Sequence, residues 1–280
     1  MEKIAVLTDS CCDLSNETLT EYNIFQIPLR IIYQDKEFLD KVTITPQEVY
    51  KNLHIEVPTT SLPDMELGAK IIKDIASQGY TTILVITISS ELSGTLNCIK
   101  LIAEPFTNLK FYYFDTRTLG YPEGVIVREA AKLVRQNLDI ETILEKLPSV
   151  RERTQGYILV DTLDYLIKGG RLSKFSGAVG SILNVKPIIH HKDGKLYTHS
   201  KARGKKQGRV KLKEILQEYL SKTSCEVWVL NGEAVEEAQD FLSYIKDLSG
   251  ITDIHLEEIG AAMGIHTGPG VIGLVVLASE

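Results

Sequence analysis

In its first half the chain alternates unbroken apolar runs with stretches whose apolar positions recur at helical spacing. "KIAVLTD" and "TTILVITIS" are short, β-branched and apolar throughout, the pattern of strands buried on both faces of a parallel sheet. "LKFYYFDT" is a third such run, and "IFQIPLRIIY" reads as a strand that Pro28 confines to an edge or a crossing. Amphipathic segments separate them. "SNETLTEY" has Ser15 to cap it, and "TPQEVYKNL" has Thr45 as N-cap with Pro46 at the first helical position. "DMELGAKIIKDIASQG" stops at Gly79, and "GVIVREAAKLVRQN" follows the third strand. Strands alternating with helices in this way predict βαβ units and a parallel sheet.

The pattern changes after the charged "RERTQG". "GYILVD" predicts a strand and "LDYLIKGG" a helix closed by glycines. "KPIIHHKDGKLYTHSKA" predicts an antiparallel hairpin turning at Asp193-Gly194. "VKLKEILQEYLSK" and "EAVEEAQDFLSYIKDL" predict helices; "CEVWVLN", "IHLEEIG" and "GVIGLVVLASE" predict strands. The fold class expected is α/β, with two closely packed α/β domains and a ligand site between them. Residues 1–155 would carry a mainly parallel sheet, and residues 156–280 a mixed or antiparallel sheet with helices.

Composition narrows the function classes. The chain has 280 residues, 44% of them apolar and 24% charged, which is ordinary for a globular protein. A net charge of −6 removes any global case for nucleic acid or acidic lipid as partner. No apolar run approaches the roughly 20 residues that cross a bilayer, and "MEKIAVLTDS" shows no signal-peptide pattern. Cys11, Cys12, Cys98 and Cys225 contain no CxxC spacing, so neither a zinc nor a redox dithiol is expected. A reducing, cytoplasmic setting fits these cysteines best.

Several polar clusters stand at strand-to-helix crossings, where open α/β sheets bind ligands. "ISSELSGT", residues 88–95, places Ser89, Ser90, Ser93 and Thr95 around Gly94, just before a helix. Unpaired N–H groups at a helix start, a glycine that admits close approach, and several hydroxyls together favour a carboxylate or phosphate. Simple capping would need only one hydroxyl. "PTTSLPD", residues 58–64, is a second hydroxyl cluster, and its alternative is a proline-stiffened capping turn. "GIHTGPG", residues 264–270, sets His266 and Thr267 in what reads as a glycine-rich loop. Asp9 and Ser10 end the first strand. "KARGKKQGRVKLK", residues 201–213, holds seven Lys or Arg and no acid, and "KGGRLSK" adds Lys168, Arg171 and Lys174. This asymmetry suits a phosphate or an acidic partner, or simply a solvated helix face. The absence of interleaved aromatics argues against single-stranded nucleic acid.

Taken together these pieces resemble the DegV family. They are "TDS" at 8–10, "PTTSLP" at 58–63, "ISSELSGT" at 88–95, "DTLDYLIKGGRLS" at 161–173, "LNVKPII" at 183–189, "DGKL" at 193–196, "KARGKK" at 201–206 and "HTGPG" at 266–270. The resemblance implies a two-domain α/β fold enclosing a long-chain fatty acid. It further implies a protein that is not itself an enzyme but the binding subunit of a bacterial fatty acid kinase. Such a subunit holds the acid while a separate kinase phosphorylates its carboxylate, and delivers acyl phosphate to phospholipid synthesis. On that resemblance Thr60, Ser61 and Ser93 hydrogen-bond the carboxylate, His266 lies near it, and Arg171 and Arg203 face the kinase or the phosphate. No cofactor or metal is implied beyond the bound acid, and contact with the membrane would be transient. One departure stands out: in "DTRTLGYPEG" Gly120 occupies the place of a usual serine, and Pro122 that of a usual glycine. The helix start there is expected to differ, and the tail pocket with it. Cys11 and Cys12 also stand where small polar residues are usual, and read as small buried side chains.

The enzyme alternative is a serine esterase or acyl hydrolase, with Ser93 attacking and His266 as base. It lacks a GxSxG elbow and an acid placed beside the histidine. "GPGVIG" matches GxGxxG, but a strand rather than a helix follows it. His190 and His191, adjacent on a strand, are expected to point to opposite faces and so not to share a metal.

Overall fold

The computed structural model describes residues 2–171 and 185–280. Residues 172–174 and 183–184 of the quoted motifs, Lys174 among them, lie outside the described residues.

The first strand, β1 (Ile4–Asp9), is buried along its whole length and ends in a 3-10 turn, Ser10–Cys12, and helix α1 (Asn16–Tyr22). Ser15 caps α1 by accepting the Thr18 N–H. The predicted strand 24–33 is in fact two, β2 (Ile24–Ile27) and β3 (Arg30–Ile32), which enter different sheets. Pro28 stands at the break, where a missing N–H removes no ladder bond. Strand β4 (Glu37–Leu39) and helix α2 (Pro46–Asn52) follow, and Thr45 and Glu48 close a reciprocal capping box on α2. Next come β5 (Thr59–Ser61), α3 (Met65–Ser77), β6 (Thr82–Thr87), α4 (Thr95–Ala103), β7 (Lys110–Asp115), α5 (Tyr121–Arg135) and α6 (Ile140–Arg153).

Strands β2, β1, β6 and β7 form a four-stranded parallel sheet in that order. Strand alternation divides its core. Ala5, Leu7, Ile83 and Val85 pack with α3 and α4, whereas Ile4, Val6, Leu84 and Ile86 pack with α5 and α6. Both faces are covered, which is why β1 and β6 carry no exposed position. Strands β4, β3 and β5 make a small antiparallel sheet that hydrophobic patterning did not reveal.

The rest of the chain comprises β8 (Thr154–Leu159), α7 (Asp164–Lys168), β9 (Val185–Lys192), β10 (Lys195–Arg203), α8 (Gly204–Leu220), β11 (Cys225–Gly232), α9 (Val235–Ile245), β12 (Ile251–Glu258), α10 (Ala261–Thr267) and β13 (Val271–Ala278). Six strands form one mixed sheet in the order β10-β9-β8-β13-β11-β12, parallel only between β11 and β12. The β9–β10 hairpin turns at Asp193 and Gly194, both at positive φ, as its sequence predicts. One face of this sheet packs on α8 and α9 through Leu212, Leu216 and Phe241. The other packs on α5 and α6 through Trp228, Val275 and Leu277, in the same cluster as Val6 and Leu84. The α5–α6 pair is therefore a middle layer shared by both sheets, and the cavity described below opens beside it.

Helix α10 was not foreseen. "AAMGIHT" reads as a loop because Gly264 and its flanking glycines obscure a short apolar face. That face packs on α2, and a Cβ at Gly264 would lie 2.7 Å from the Tyr50 hydroxyl oxygen. Only glycine lets the two helices meet this closely.

Candidate functional site

One cavity has about 930 Å³ of empty space, counting its open mouth, and lies between the two large sheets. Its walls are mostly apolar, with Leu29, Ile88, Leu92, Ile189, Met263 and Val275 among them. Thr60, Ser93, Arg171 and His266 also line it, so four of the six site residues read from the sequence share one cavity.

The hydroxyl-rich turn after β6 spends most of its oxygens on structure. Ser89 is fully buried and donates to the Gly194 carbonyl at 2.8 Å, tying the turn to the tip of the β9–β10 hairpin. Ser90 donates to Asp115. Thr95 is buried and pairs with Ser93 at 2.8 Å. Gly94 is the N-cap of α4 and no side chain caps that helix. Of this turn, Ser93 is the hydroxyl that reaches the cavity.

Thr60 and Ser61 are neighbours on β5, and alternation separates them. Thr60 Oγ1 lies 2.9 Å from His266 Nε2 across the cavity wall. Ser61 does not line the cavity; its hydroxyl accepts from Arg30 at 3.2 Å, and Arg30 also reaches the Leu62 carbonyl and Glu37. The structure therefore does not bring the Ser61 side chain together with Thr60, Ser93 and His266.

His266 sits in the last turn of α10 rather than in a loop. Its Nδ1 is buried and has no hydrogen-bond partner among the described residues. Burial lowers its pKa to about 4, with the nearby Arg171 charge acting in the same direction. The ring is thus neutral near pH 7, with a second nitrogen left for a ligand. A Cβ on Gly169 would come 2.1 Å from that nitrogen, so the chain beside it must be glycine. Ser93 and His266 are not hydrogen-bonded to each other, since Thr60 occupies the Nε2 position and Thr95 the Ser93 hydroxyl.

Arg171 lies on the cavity beside His266 and donates to the Gly169 carbonyl at 2.6 Å. The resemblance gave it to the kinase or the phosphate; here it borders the cavity. Arg203 does lie outside, exposed at the start of α8 and away from the cavity. Within the basic stretch, Lys205 pairs with Glu237 and Arg209 with Asp240. Lys201, Arg203 and Lys206 remain exposed.

Sequence reading missed a second polar feature. Asp9, Asp13, Asp40 and Glu123 are all buried along or just behind the same cavity. Asp9 accepts the Cys11 and Ile88 N–H groups at 2.9 and 3.0 Å; burial still raises its pKa to about 6. Asp13 accepts the Gly260 N–H at 3.0 Å and is raised by burial to about 8, with Lys41 opposing the shift. Asp40 accepts from Ser10 at 2.6 Å. Burial also drives Glu123 well above the usual carboxylate range. Four acids scattered over 115 positions carry no spacing signal. Only "TDSCCD", with two acids and two cysteines after a strand, hinted at them.

The Gly120–Pro122 departure is accommodated simply. Gly120 takes φ 65° and Pro122 falls in the first turn of α5, where its missing N–H would be unpaired anyway. Pro122 lines the cavity and closes on Gly156, whose Cβ would stand 2.4 Å from the proline ring. His190 and His191 do not diverge as expected. Strands β8 and β9 stop pairing beyond Tyr157–His190, and both rings turn to the Gly156 peptide. His190 Nδ1 lies 3.0 Å from its carbonyl and His191 Nε2 takes its N–H at 3.3 Å, with ring centroids 4.9 Å apart. Burial lowers the His191 pKa to about 3.

Among the described residues no helix is long and apolar enough to cross a membrane. A family model described as "Uncharacterised protein, DegV family" matches residues 3–279. A DegV domain-containing protein of Clostridium acetobutylicum is 46% identical over 277 residues, 99% of each chain. Among solved structures, a DegV lipid binding protein from Thermotoga maritima superposes with a TM-score of 0.88 at 27% identity, covering 100% of this chain and 99% of that one. DegV from Bacillus subtilis, a fatty acid binding protein, superposes with 0.90 at 26% identity over 100% of both chains. A stearic acid-binding protein from Eubacterium ventriosum gives 0.87 at 27%, over 99% and 98%. With a family model matched over nearly the whole chain and a relative 46% identical along it, this chain belongs to the DegV family.

Proposed function

We propose that the protein binds a long-chain fatty acid in this cavity and presents it to a separate fatty acid kinase, which phosphorylates the carboxylate for phospholipid synthesis. The observation that carries the reading is a single one: an apolar cavity whose polar corner holds Thr60 and a neutral His266 with an unpartnered buried nitrogen. A buried carboxylate needs several donors. Ser93 offers one neutral donor, the Thr60–His266 pair has one more once a proton is shared between them, and Arg171 offers a nearby positive charge. Each buried CH₂ contributes about 0.8 kcal/mol, so the tail dominates affinity and the polar corner sets orientation.

Arg171 is then the charge beside the nascent acyl phosphate, and the exposed Arg203, with Lys201 and Lys206, faces the kinase. The fatty acid neighbours among solved structures support the ligand class. Native mass spectrometry of protein purified from a bacterial host tests it. A mass excess matching one fatty acid, released on denaturation, is the expected result. Protein that is empty across independent preparations, and takes up no added oleate or stearate, would remove the reading.

A further inference from the structure

Three donor groups of different kinds converge behind the cavity wall. Asp9 ends β1, Cys11 lies in the 3-10 turn two residues on, and Glu123 projects from the first turn of α5. One ligand atom of each lies within 4.8 Å of the other two, and all three residues are buried. Glu123 has no exposed surface, yet neither carboxyl oxygen has a hydrogen-bond partner among the described residues. Each Asp9 oxygen accepts one backbone N–H, which leaves lone pairs unused. Among the described residues Asp9, Asp13, Asp40 and Glu123 form no ion pair, and the one nearby ammonium, Lys41, is held by the Leu14 carbonyl.

We propose that Asp9, Cys11 and Glu123 bind a divalent cation of the zinc class. Two carboxylates and a thiolate within reach of one another form a three-ligand set that such a cation completes with one further position. The thiol argues against magnesium and calcium, which take oxygen ligands in larger number. Two hard carboxylates argue against monovalent copper, although the Met263 sulfur lies 3.4 Å from Cys11 Sγ. A dication would take the place of the protons that otherwise keep these buried groups neutral. In the metal-free protein Cys11 and Glu123 keep their protons, since burial raises both pKa values. On binding, the Cys11 and Glu123 protons are displaced to solvent. Cys11 and Met263 both line the cavity, so the cation has a route inward whenever the cavity is not filled by a ligand. The proposal does not depend on the identity of that ligand.

Cobalt(II) is the probe. The full chain is expressed in cobalt-supplemented medium, or delipidated, treated with chelator and dialysed against CoCl₂, and then desalted. The expected result is about one cobalt per chain, with a thiolate-to-cobalt charge-transfer band in the near ultraviolet. Cys11→Ser abolishes the band, Glu123→Gln lowers retained cobalt at least tenfold, and Cys98→Ser changes neither. Zinc added to the cobalt form displaces the band. Wild-type protein that retains less than a tenth of an equivalent by both routes carries only a shared proton at this place, and the proposal fails. It fails equally if the band survives in Cys11→Ser. Should Glu123→Gln not fold, the wild-type spectrum and Cys11→Ser decide the matter alone.

Discussion

Two polar regions border one cavity and handle burial in opposite ways. Around Thr60, Ser93 and His266 the groups are neutral, and the nearest charge is the cation Arg171. Around Asp9, Asp13 and Glu123 the groups are acids, held by backbone N–H bonds or by protons, with Lys41 as the nearest cation. On the proposed reading the first region would receive the anionic head group and the second would not, which would give the cavity a single favourable ligand direction. Each region also depends on a glycine that lets a helix come close: Gly264 on α10 for the first, Gly124 on α5 for the second.

The largest expected effect separates these two glycines. A Cβ at Gly124 would stand 2.3 Å from the Cys12 carbonyl oxygen and 2.9 Å from Leu14. The obstruction is backbone, so α5 must back away from the 3-10 turn. Gly124→Ala is expected to lose about 3 kcal/mol, even after the helix-propensity gain of about 1 kcal/mol. At Gly264 the obstruction is the Tyr50 ring, 2.7 Å away at its hydroxyl. Gly264→Ala is expected to lose less, about 1–2 kcal/mol, because a side chain can shift where a carbonyl cannot. Urea midpoints at unchanged slope give both numbers. Equal losses would show that the two helix seats are alike after all.

Acid titration probes the same contrast from the side of charge. His266 and His191 are lowered to about 4 and about 3, chiefly by burial. The unfolded chain takes up protons near pH 6.5 while the folded one resists, so the unfolded state binds more protons in this window. The stability from these neutral rings is complete above about pH 6.5 and is lost progressively as pH falls through 4. For His266 the loss is at most about 3 kcal/mol. Arg171 is the charged group facing that ring. His266→Asn should therefore flatten the acid limb between pH 6.5 and 4, measured by urea unfolding at each pH. An unchanged limb would mean that His266 already carries its proton in the folded protein.

Removing the neutral donors themselves is expected to act on binding more than on folding. Ser93→Ala with Thr60→Ala should weaken fatty acid binding by about 1–3 kcal/mol, several-fold to a hundredfold, and shift the urea midpoint little. Fluorescent fatty acid displacement measures it. Undiminished affinity would move the head group away from Thr60 and Ser93, and with it the asymmetry of the cavity.

How much of this was legible in the sequence follows from what each residue reports locally. Strands β1, β6 and β13, the capped helices α1 and α2 and the Asp193-Gly194 hairpin were readable, because burial on two faces, capping and turn chemistry are local properties. The β3–β4–β5 sheet was not, since strands as short as Glu37–Leu39 leave no usable period. Helix α10 was hidden by the glycines that let it pack. Thr60, Ser93 and His266 sit in distinctive motifs, and the structure brings them to one cavity. The Ser61 side chain turns to Arg30 instead, because adjacency along a strand is opposition in space. Glu123 was invisible: a glutamate in a first helical turn is usually a solvated, dipole-favoured group, and only tertiary packing on the 3-10 turn buries it.

The smallest expected effect on the cavity comes from its outer neighbour, Arg203. Its side chain is exposed at the start of α8, and Arg203 is not among the residues that line the cavity. Surface charges away from a site usually change stability by less than about 0.5 kcal/mol. Arg203→Ala should leave fatty acid affinity and unfolding midpoint within error, yet slow phosphorylation of the bound acid by a cognate kinase, more so at low ionic strength, where charge steering is strongest. Arg171→Ala gives the contrast, since Arg171 borders the cavity and its loss should alter both affinity and turnover. If Arg203→Ala impaired lipid binding as severely as Arg171→Ala, the division between an inner, ligand-facing arginine and an outer, partner-facing one would collapse, and the exposed basic stretch would have to be regarded as part of the ligand site itself.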